Sequence, residues 1–389
     1  MRIVIIRSNP IDPDSRVEKE TETLMADGNA VTILGWDRKE NYSEKKSHIY
    51  NRNGYAEVYR FGIKAGFGAG KKNLFALIKY QKCIYRWLKN NKNRFDAIHA
   101  CDFDTGLISE IMAKRLNKLF IYDIFDYYSA CRPLPRSLSS LIRRLENQVI
   151  THADATIICS EQRKEQIKGS RPKRLIIIHN APSMRLLNQT NESFKLKSSG
   201  TGRIKIGYVG ILGNTQRLLD EIAYAIANRD DVEYHVGGFG QLESFFQNME
   251  LKYENIFYYS KLPYYDTLRL EEQMDIITAI YDPSVSNNQY AAPNKFYEGL
   301  MLGKPLLMVH NTGMDKIVEK NSIGETIDFN IQSFCDGLDR LISRRKEWPQ
   351  IGTREKTLFQ EFYSWDIMEK RLIKLYRELE NNKGKKRKR

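Results

Sequence analysis

Short apolar runs alternate with stretches of helical period along the whole chain. Residues 2–6 read as a strand, residues 14–27 as an amphipathic helix closed by Gly28, and residues 30–34 as a second strand. Residues 95–106 form a strand running into a polar loop, residues 119–128 do the same, residues 133–150 make a basic helix, and residues 153–160 and 175–183 are further apolar runs. Continuous apolar runs of this length separated by helical segments predict parallel strands covered by helices, an α/β protein. Polar residues at the carboxyl ends of such strands face the ligand crevice of an open sheet. Here these are Asp14 and Arg16 after the first strand, His99 and Asp102 after the next, and Asp123 and Asp126 after the one following. Each has a structural alternative: Asp14 or Ser15 caps the helix, and a strand histidine is a satisfied core residue.

From residue 184 to 203 the chain is rich in Ser, Asn, Thr and Gly and carries no apolar period. A linker over 186–203 therefore divides a first domain, 1–185, from a second, 204–361, followed by an amphipathic helix at 362–380 and a basic, disordered tail at 381–389. The second domain opens with a strand, a loop containing Gly210 and Gly213, and a helix from about Arg217. Small residues in such a loop let the backbone approach a pyrophosphate.

The stretch 291–309 concentrates the candidate chemistry. Asn294, after Pro293, is placed to cap a short helix ending at Gly303, with Pro305 beyond it and a buried strand at 306–309. Free N–H groups at a helix start attract phosphate, Lys295 adds a positive charge, and Glu298 one turn inside can accept hydrogen bonds from a pair of ribose hydroxyls. Alternatively, Lys295 and Glu298 are a surface pair on an ordinary capped helix.

With 389 residues the chain is long enough for two domains with separate cores. Its net charge of +14, to which the basic tail contributes only part, admits phosphate-rich substrates, anionic lipid and nucleic acid as partners. The 22 tyrosines and the basic tail are what speaks for nucleic acid, but no aromatic RNA-recognition strand or zinc spacing accompanies them. The five cysteines are scattered without metal spacing, which predicts reduced thiols in a cytoplasmic protein and no metal site. No apolar stretch reaches the roughly 18 to 20 residues of a membrane span, so a membrane role requires lying on the surface. Residues 66–91 suit that role. Gly66, Gly68 and Gly70 lead into a helix in which Leu74, Ile78, Tyr85 and Leu88 can form one face, Lys71, Lys72, Lys79, Lys82, Arg86 and Lys89 carry charge, and Phe75 and Trp87 could enter lipid. The alternative is a core-packed helix with a solvated basic face.

The pattern Pro293-Asn294-Lys295, Glu298, Gly303-Lys304-Pro305 resembles the C-terminal motif of family 4 glycosyltransferases, in a variant found in bacterial polysaccharide enzymes. The opening loop, the strand ending at Asp126, the linker, the glycine loop and the last helix follow in that family's order. The resemblance implies a GT-B fold, two Rossmann-like domains facing a cleft with a C-terminal helix crossing back to the first. It implies transfer of a sugar from a nucleoside diphosphate sugar (UDP- or GDP-linked) to a glycan or polyprenyl-linked hydroxyl, with retention of configuration and no required cofactor. Glu298 would hold the ribose; Gly210, Gly213, Arg217, Pro293, Asn294 and Lys295 the diphosphate; Lys261 would border the base. Asp14, Arg16, His99, Asp102 and Asp126 would lie on the acceptor side. Asp126 is the candidate to handle the hydroxyl proton, with Arg217 and Lys295 stabilising the leaving group. Asp123 and His99 remain alternatives to Asp126, because Phe125 stands where relatives carry histidine. The location implied is cytoplasmic, peripheral on the inner face of the cell membrane. Tyr290 and Ile211 occupy positions usually charged in the family, which leaves an inactive GT-B scaffold as the alternative.

Overall fold

A computed structural model describes residues 1–11, 14–66, 73–131, 135–186, 194–200, 202–213 and 216–387, without the side chains of 136 and 384–387. Asp12, the glycines at 68 and 70, Lys71 and Lys72, residues 187–193 and 201 of the expected linker, and the last two residues lie outside the described residues. The chain divides into two compact units, Met1–Ile178 with Met368–Arg389, and His179–Ile367.

The first unit begins β1 (Arg2–Ile6), α1 (Ser15–Ala26), β2 (Ala30–Asp37), β3 (Tyr42–Asn51) and β4 (Gly54–Gly62). It continues α2 (Leu74–Asn90), β5 (Ala97–Cys101), α3 (Phe103–Leu116), β6 (Leu119–Ile124), α4 (Arg136–His152), β7 (Ala155–Ile158), α5 (Arg163–Gln166) and β8 (Leu175–Ile177). The sheet order is β3-β4-β2-β1-β5-β6-β7-β8, parallel except for the β3–β4 hairpin at one edge. That hairpin carries polar, exposed positions on β3 and escapes a search for apolar runs. Asp14 caps α1 by accepting from the Val17 amide at 3.1 Å, as the Ser/Asp spacing predicts.

The buried side of α2 is Tyr80, Ile84, Trp87 and Leu88, one position in every three or four. This corrects the expected face: Leu74 and Ile78 are exposed, and Trp87 packs between Tyr59 and Phe95 in the core. Phe75, 79% exposed, is left as the outward aromatic.

The second unit runs β9 (Ile204–Leu212), α6 (Leu219–Ala227), β10 (Val232–Gly240), α7 (Glu243–Lys252), β11 (Ile256–Tyr258) and α8 (Tyr264–Glu272). Then come β12 (Ile276–Ala279), α9 (Asn294–Leu302), β13 (Leu306–Val309), α10 (Asp315–Asn321), β14 (Gly324–Ile327), α11 (Ile331–Ser343) and α12 (Trp348–Leu358). Its parallel sheet has the order β11-β10-β9-β12-β13-β14. The order in which strands are added reverses between β9 and β12, the topological switch at which open α/β sheets bind ligands. Residues 194–200 belong to this unit: Phe194 and Leu196 pack with Tyr259, and the Lys197 amide donates to the Tyr259 hydroxyl at 3.0 Å. The last helix, α13 (Trp365–Arg387), enters the first unit at Met368. Its Arg371 donates to the Ile177 carbonyl at 3.0 Å, and Arg377 ion-pairs with Asp27. The helix extends through Arg387, so residues 381–387 are helical rather than the disordered tail expected from their charge.

Candidate functional site

In the second unit the candidate residues gather at the carboxyl ends of β9 and β12 and the start of α9. Gly210 lies inside β9, not in a loop, and pairs in register with Gly238 of β10. The two backbones approach so closely that a Cβ on Gly238, at φ +140°, would lie 1.8 Å from the Gly210 carbonyl oxygen. Gly303, at φ +70°, ends α9 as its sequence position predicts. Asn294 does not cap that helix. Pro293 occupies the cap position without a side-chain bond, while the Asn294 side-chain oxygen accepts from Asn180 at 2.7 Å.

Lys295 is 7% exposed, and its ammonium lies 4.5 Å from the centre of the Tyr208 ring and 6.0 Å from that of Tyr281. The Arg217 guanidinium lies 5.3 Å from the same Tyr281 ring, and its buried Nε has no hydrogen-bond partner. Among the described residues neither cation forms a salt bridge, so the two charges converge on one aromatic side chain without a carboxylate paired to either. Burial works against the Lys295 ammonium, but the ionisable hydroxyls of Tyr281 and Tyr208 and the Glu298 and Glu271 carboxyls outweigh it and hold its pKa above the usual lysine value. Tyr208 is held by its own hydroxyl, which donates to the Ile211 carbonyl at 2.9 Å.

Glu298, 3% exposed, accepts from the hydroxyl of the partly buried Tyr264. Gly213 is adjacent to Arg217, whose terminal nitrogen would lie 3.4 Å from a Cβ there. Lys261 is exposed and rests over the Phe239 ring at 5.3 Å. Lys295, Arg217, Gly210 and Glu298 are thus brought together, with Lys261 on the rim of β10. Sequence reasoning missed Tyr208, Tyr281, Tyr264 and Glu271, none of which stands in a motif with a local spacing.

In the first unit most of the polar residues at the strand ends satisfy one another. Arg16 is 2% exposed; it donates to Asp123 at 2.9 Å, pairs with Glu20 at 3.1 Å and donates to the Ile178 carbonyl at 2.7 Å. His99 is fully buried and shares a 2.8 Å hydrogen bond with Tyr376 of α13. Asp102, at φ 62°, accepts from the Phe125 and Asp126 amides at 2.8 and 3.1 Å and is paired with Arg7. Its burial, only partly offset by Arg7, raises its pKa to about 6. Arg7 and Arg16 also lie 4.0 and 4.7 Å from the centre of the Phe125 ring. Arg16, His99 and Asp102 therefore build the floor of this strand end, and Asp14 is consumed as a helix cap. Asp126 differs. Its side chain is 55% exposed and is steadied at 3.1 Å by Arg163.

Among the described residues two groups have the spacing to face a cation, Glu20/His99/Asp123 and His310/Asp315/Glu319. In the first, the Arg16 guanidinium already supplies the positive charge.

Residues 16–182 match the family described as Glycosyltransferase Family 4. Among curated proteins none matches the chain significantly by sequence. Solved structures match over nearly the whole chain. Sucrose-phosphate synthase from Thermosynechococcus elongatus is 12% identical, with 98% of this chain and 100% of that one covered at TM-score 0.74. HepE of Anabaena, solved in complex with UDP, is 13% identical, with 97% and 100% covered at 0.68. An α,α-trehalose 6-phosphate synthase from Burkholderia multivorans is 10% identical, with 99% and 98% covered at 0.69. The fold is that of the GT-B glycosyltransferases, with two Rossmann-like parallel-sheet domains.

Proposed function

We propose that this chain transfers a glycosyl group from a nucleoside diphosphate sugar to an acceptor hydroxyl. The observation that carries this reading is the convergence of Lys295 and Arg217 on Tyr281 without a carboxylate paired to either, in the unit with the switch-point topology. A buried ammonium at the start of a helix, with a half-buried guanidinium over the same tyrosine ring, matches a diphosphate. Glu298, three residues further along that helix, suits the ribose hydroxyls.

In the reaction the bond from the anomeric carbon to the diphosphate oxygen breaks and a bond to the acceptor oxygen forms. The charge that develops on the diphosphate is met by Lys295, Arg217 and the first amides of α9. The acceptor hydroxyl gives up its proton, for which Asp126, exposed and steadied by Arg163, is the acceptor we assign. Retention of configuration is part of the proposal, as is a UDP- or GDP-linked donor. HepE was solved with UDP and with UDP-glucose, which supports UDP.

For the acceptor we favour a polyprenyl-linked glycan at an anionic membrane surface, as in surface-polysaccharide synthesis. No helix among the described residues is long and apolar enough to cross a membrane. Leu74, Phe75 and Ile78 on α2 and Leu138 and Leu141 on α4 are exposed. Lys79, Lys82, Arg86, Lys89, Arg143 and Arg144 are exposed on the same two helices. A depression of about 470 Å³ on α4 is lined by Arg143, Arg144 and His152. Apolar side chains among basic ones suit a lipid headgroup layer.

The donor reading is tested by measuring melting temperature with UDP, GDP and their glucose or mannose conjugates. Stabilisation by at least one is expected, and none with any of them would overturn it. Ile211, 47% exposed where the family carries a basic residue, favours the second reading of a nucleotide-binding scaffold without turnover. Release of nucleoside diphosphate from the bound donor in the presence of lipid-linked acceptor separates the two.

A further inference from the structure

Behind Glu298 lies a second carboxyl group that the reaction does not use. Glu271, on α8, is 1% exposed, and both its oxygens are buried with no hydrogen-bond donor on either. The neighbours that act on it are Glu298, with which it is in hydrogen-bond contact, and the Lys295 ammonium. Tyr264, at the start of the same helix, donates to Glu298 rather than to Glu271.

As a carboxylate, Glu271 has nothing to accept from and faces another carboxyl group in a desolvated space. As a carboxylic acid it has a partner to donate to. Burying a charge without a hydrogen bond is among the costliest arrangements in a protein interior, and a proton on Glu271 removes that cost while creating a bond. Burial first, and then Glu298, push the Glu271 acid well above its ordinary 4.5 against the opposing pull of Lys295.

We infer that Glu271 is a positioning residue: as a neutral acid it donates its proton to Glu298 and, with Tyr264, aims that side chain at the ribose hydroxyls of the donor. This rests on the donor-site reading above and deepens it. Glu298 then receives a hydrogen bond from Glu271 as well as the one from Tyr264. The two donors make the carboxylate a preorganised acceptor, which costs no ordering when the nucleotide arrives.

The experiment is calorimetric binding of UDP and GDP, and of their 2′,3′-dideoxy counterparts, to the full chain as wild type, Glu271→Gln and Glu271→Leu. Wild type is expected to prefer the ribose form by about tenfold or more, the worth of hydrogen bonds to a charged acceptor. Glutamine keeps a neutral donor and should retain that preference. Leucine should bring the ribose form down to the affinity of the dideoxy form while leaving the dideoxy affinity unchanged. An equal loss for both nucleotides in the leucine variant would assign Glu271 a merely structural role and overturn the inference. So would wild-type behaviour of the leucine variant, or a glutamine variant as impaired as leucine. Should the leucine variant fail to fold, isotope-edited infrared spectra of wild type and Glu271→Gln decide. A protonated-carboxyl band at neutral pH that vanishes in the glutamine variant is expected, and its absence in wild type would overturn the inference. If wild type binds neither UDP nor GDP, it is the donor-site reading that has failed.

Discussion

The ammonium of Lys295 occupies the space that a side chain at position 210 would need, 2.9 Å from where a Cβ on Gly210 would stand. The obstacle is the far end of a flexible side chain rather than backbone. Gly210→Ala is therefore expected to keep the wild-type melting temperature within a few degrees while displacing the ammonium. Binding of the nucleoside diphosphate should weaken by about tenfold, checked by calorimetry.

Lys295→Met removes the buried charge and keeps most of the volume. The expected outcome is a loss of about 2 kcal/mol in diphosphate affinity, with the affinity of the corresponding nucleoside unchanged. An equal loss for nucleoside and diphosphate would show that Lys295 does not face the phosphates.

Asp126 is exposed and makes its ion pair with Arg163, so it can be altered without disturbing the core. Asp126→Asn should leave donor affinity unchanged and lower the transfer rate by roughly 10²-fold, the usual worth of a positioned proton acceptor. Single-turnover kinetics with saturating donor measure it. Full activity would assign the role elsewhere.

Burial raises Glu146 to about 8 from the ordinary 4.5, despite the bonds it accepts from the Tyr128 amide and the Tyr122 hydroxyl. The folded chain therefore holds this proton more tightly than the unfolded chain does. The stability it contributes is complete below about pH 4.5, declines as the pH rises, and is gone above about 8. Glu146→Gln keeps the accepting oxygen for Tyr122 and should flatten that part of the profile, read by chemical denaturation between pH 5 and 9.

Phe75 and Trp87, both aromatic and twelve residues apart on one helix, should behave oppositely. Phe75→Ser is expected to reduce co-sedimentation with anionic vesicles at unchanged stability. Trp87→Ala, which empties a core position, should cost about 3 to 5 kcal/mol of folding stability. Replacing Lys79 and Lys82 by Gln should lower vesicle affinity by about 1 kcal/mol for each charge near the surface.

The apolar runs 2–6, 30–34, 306–309 and their neighbours, the Asp14 cap and the stop at Gly303 were legible along the chain because each depends on residues a few positions apart. The same local logic placed Lys295 and Glu298 on one short helix. It did not place Tyr281 under both Lys295 and Arg217, bury Glu271 against Glu298, or spend Arg16 and His99 on internal partners. Nor could the periodicity of residues 74–88 decide which face of α2 turns inward, because Leu74 and Ile78 fit a helical stripe as well as Tyr80 and Ile84 do. Backbone preference and hydrophobic period act over one or two turns and so are written in the sequence. Desolvation and charge compensation depend on which side chains from distant strands share a space, and only the packed sheets determine that.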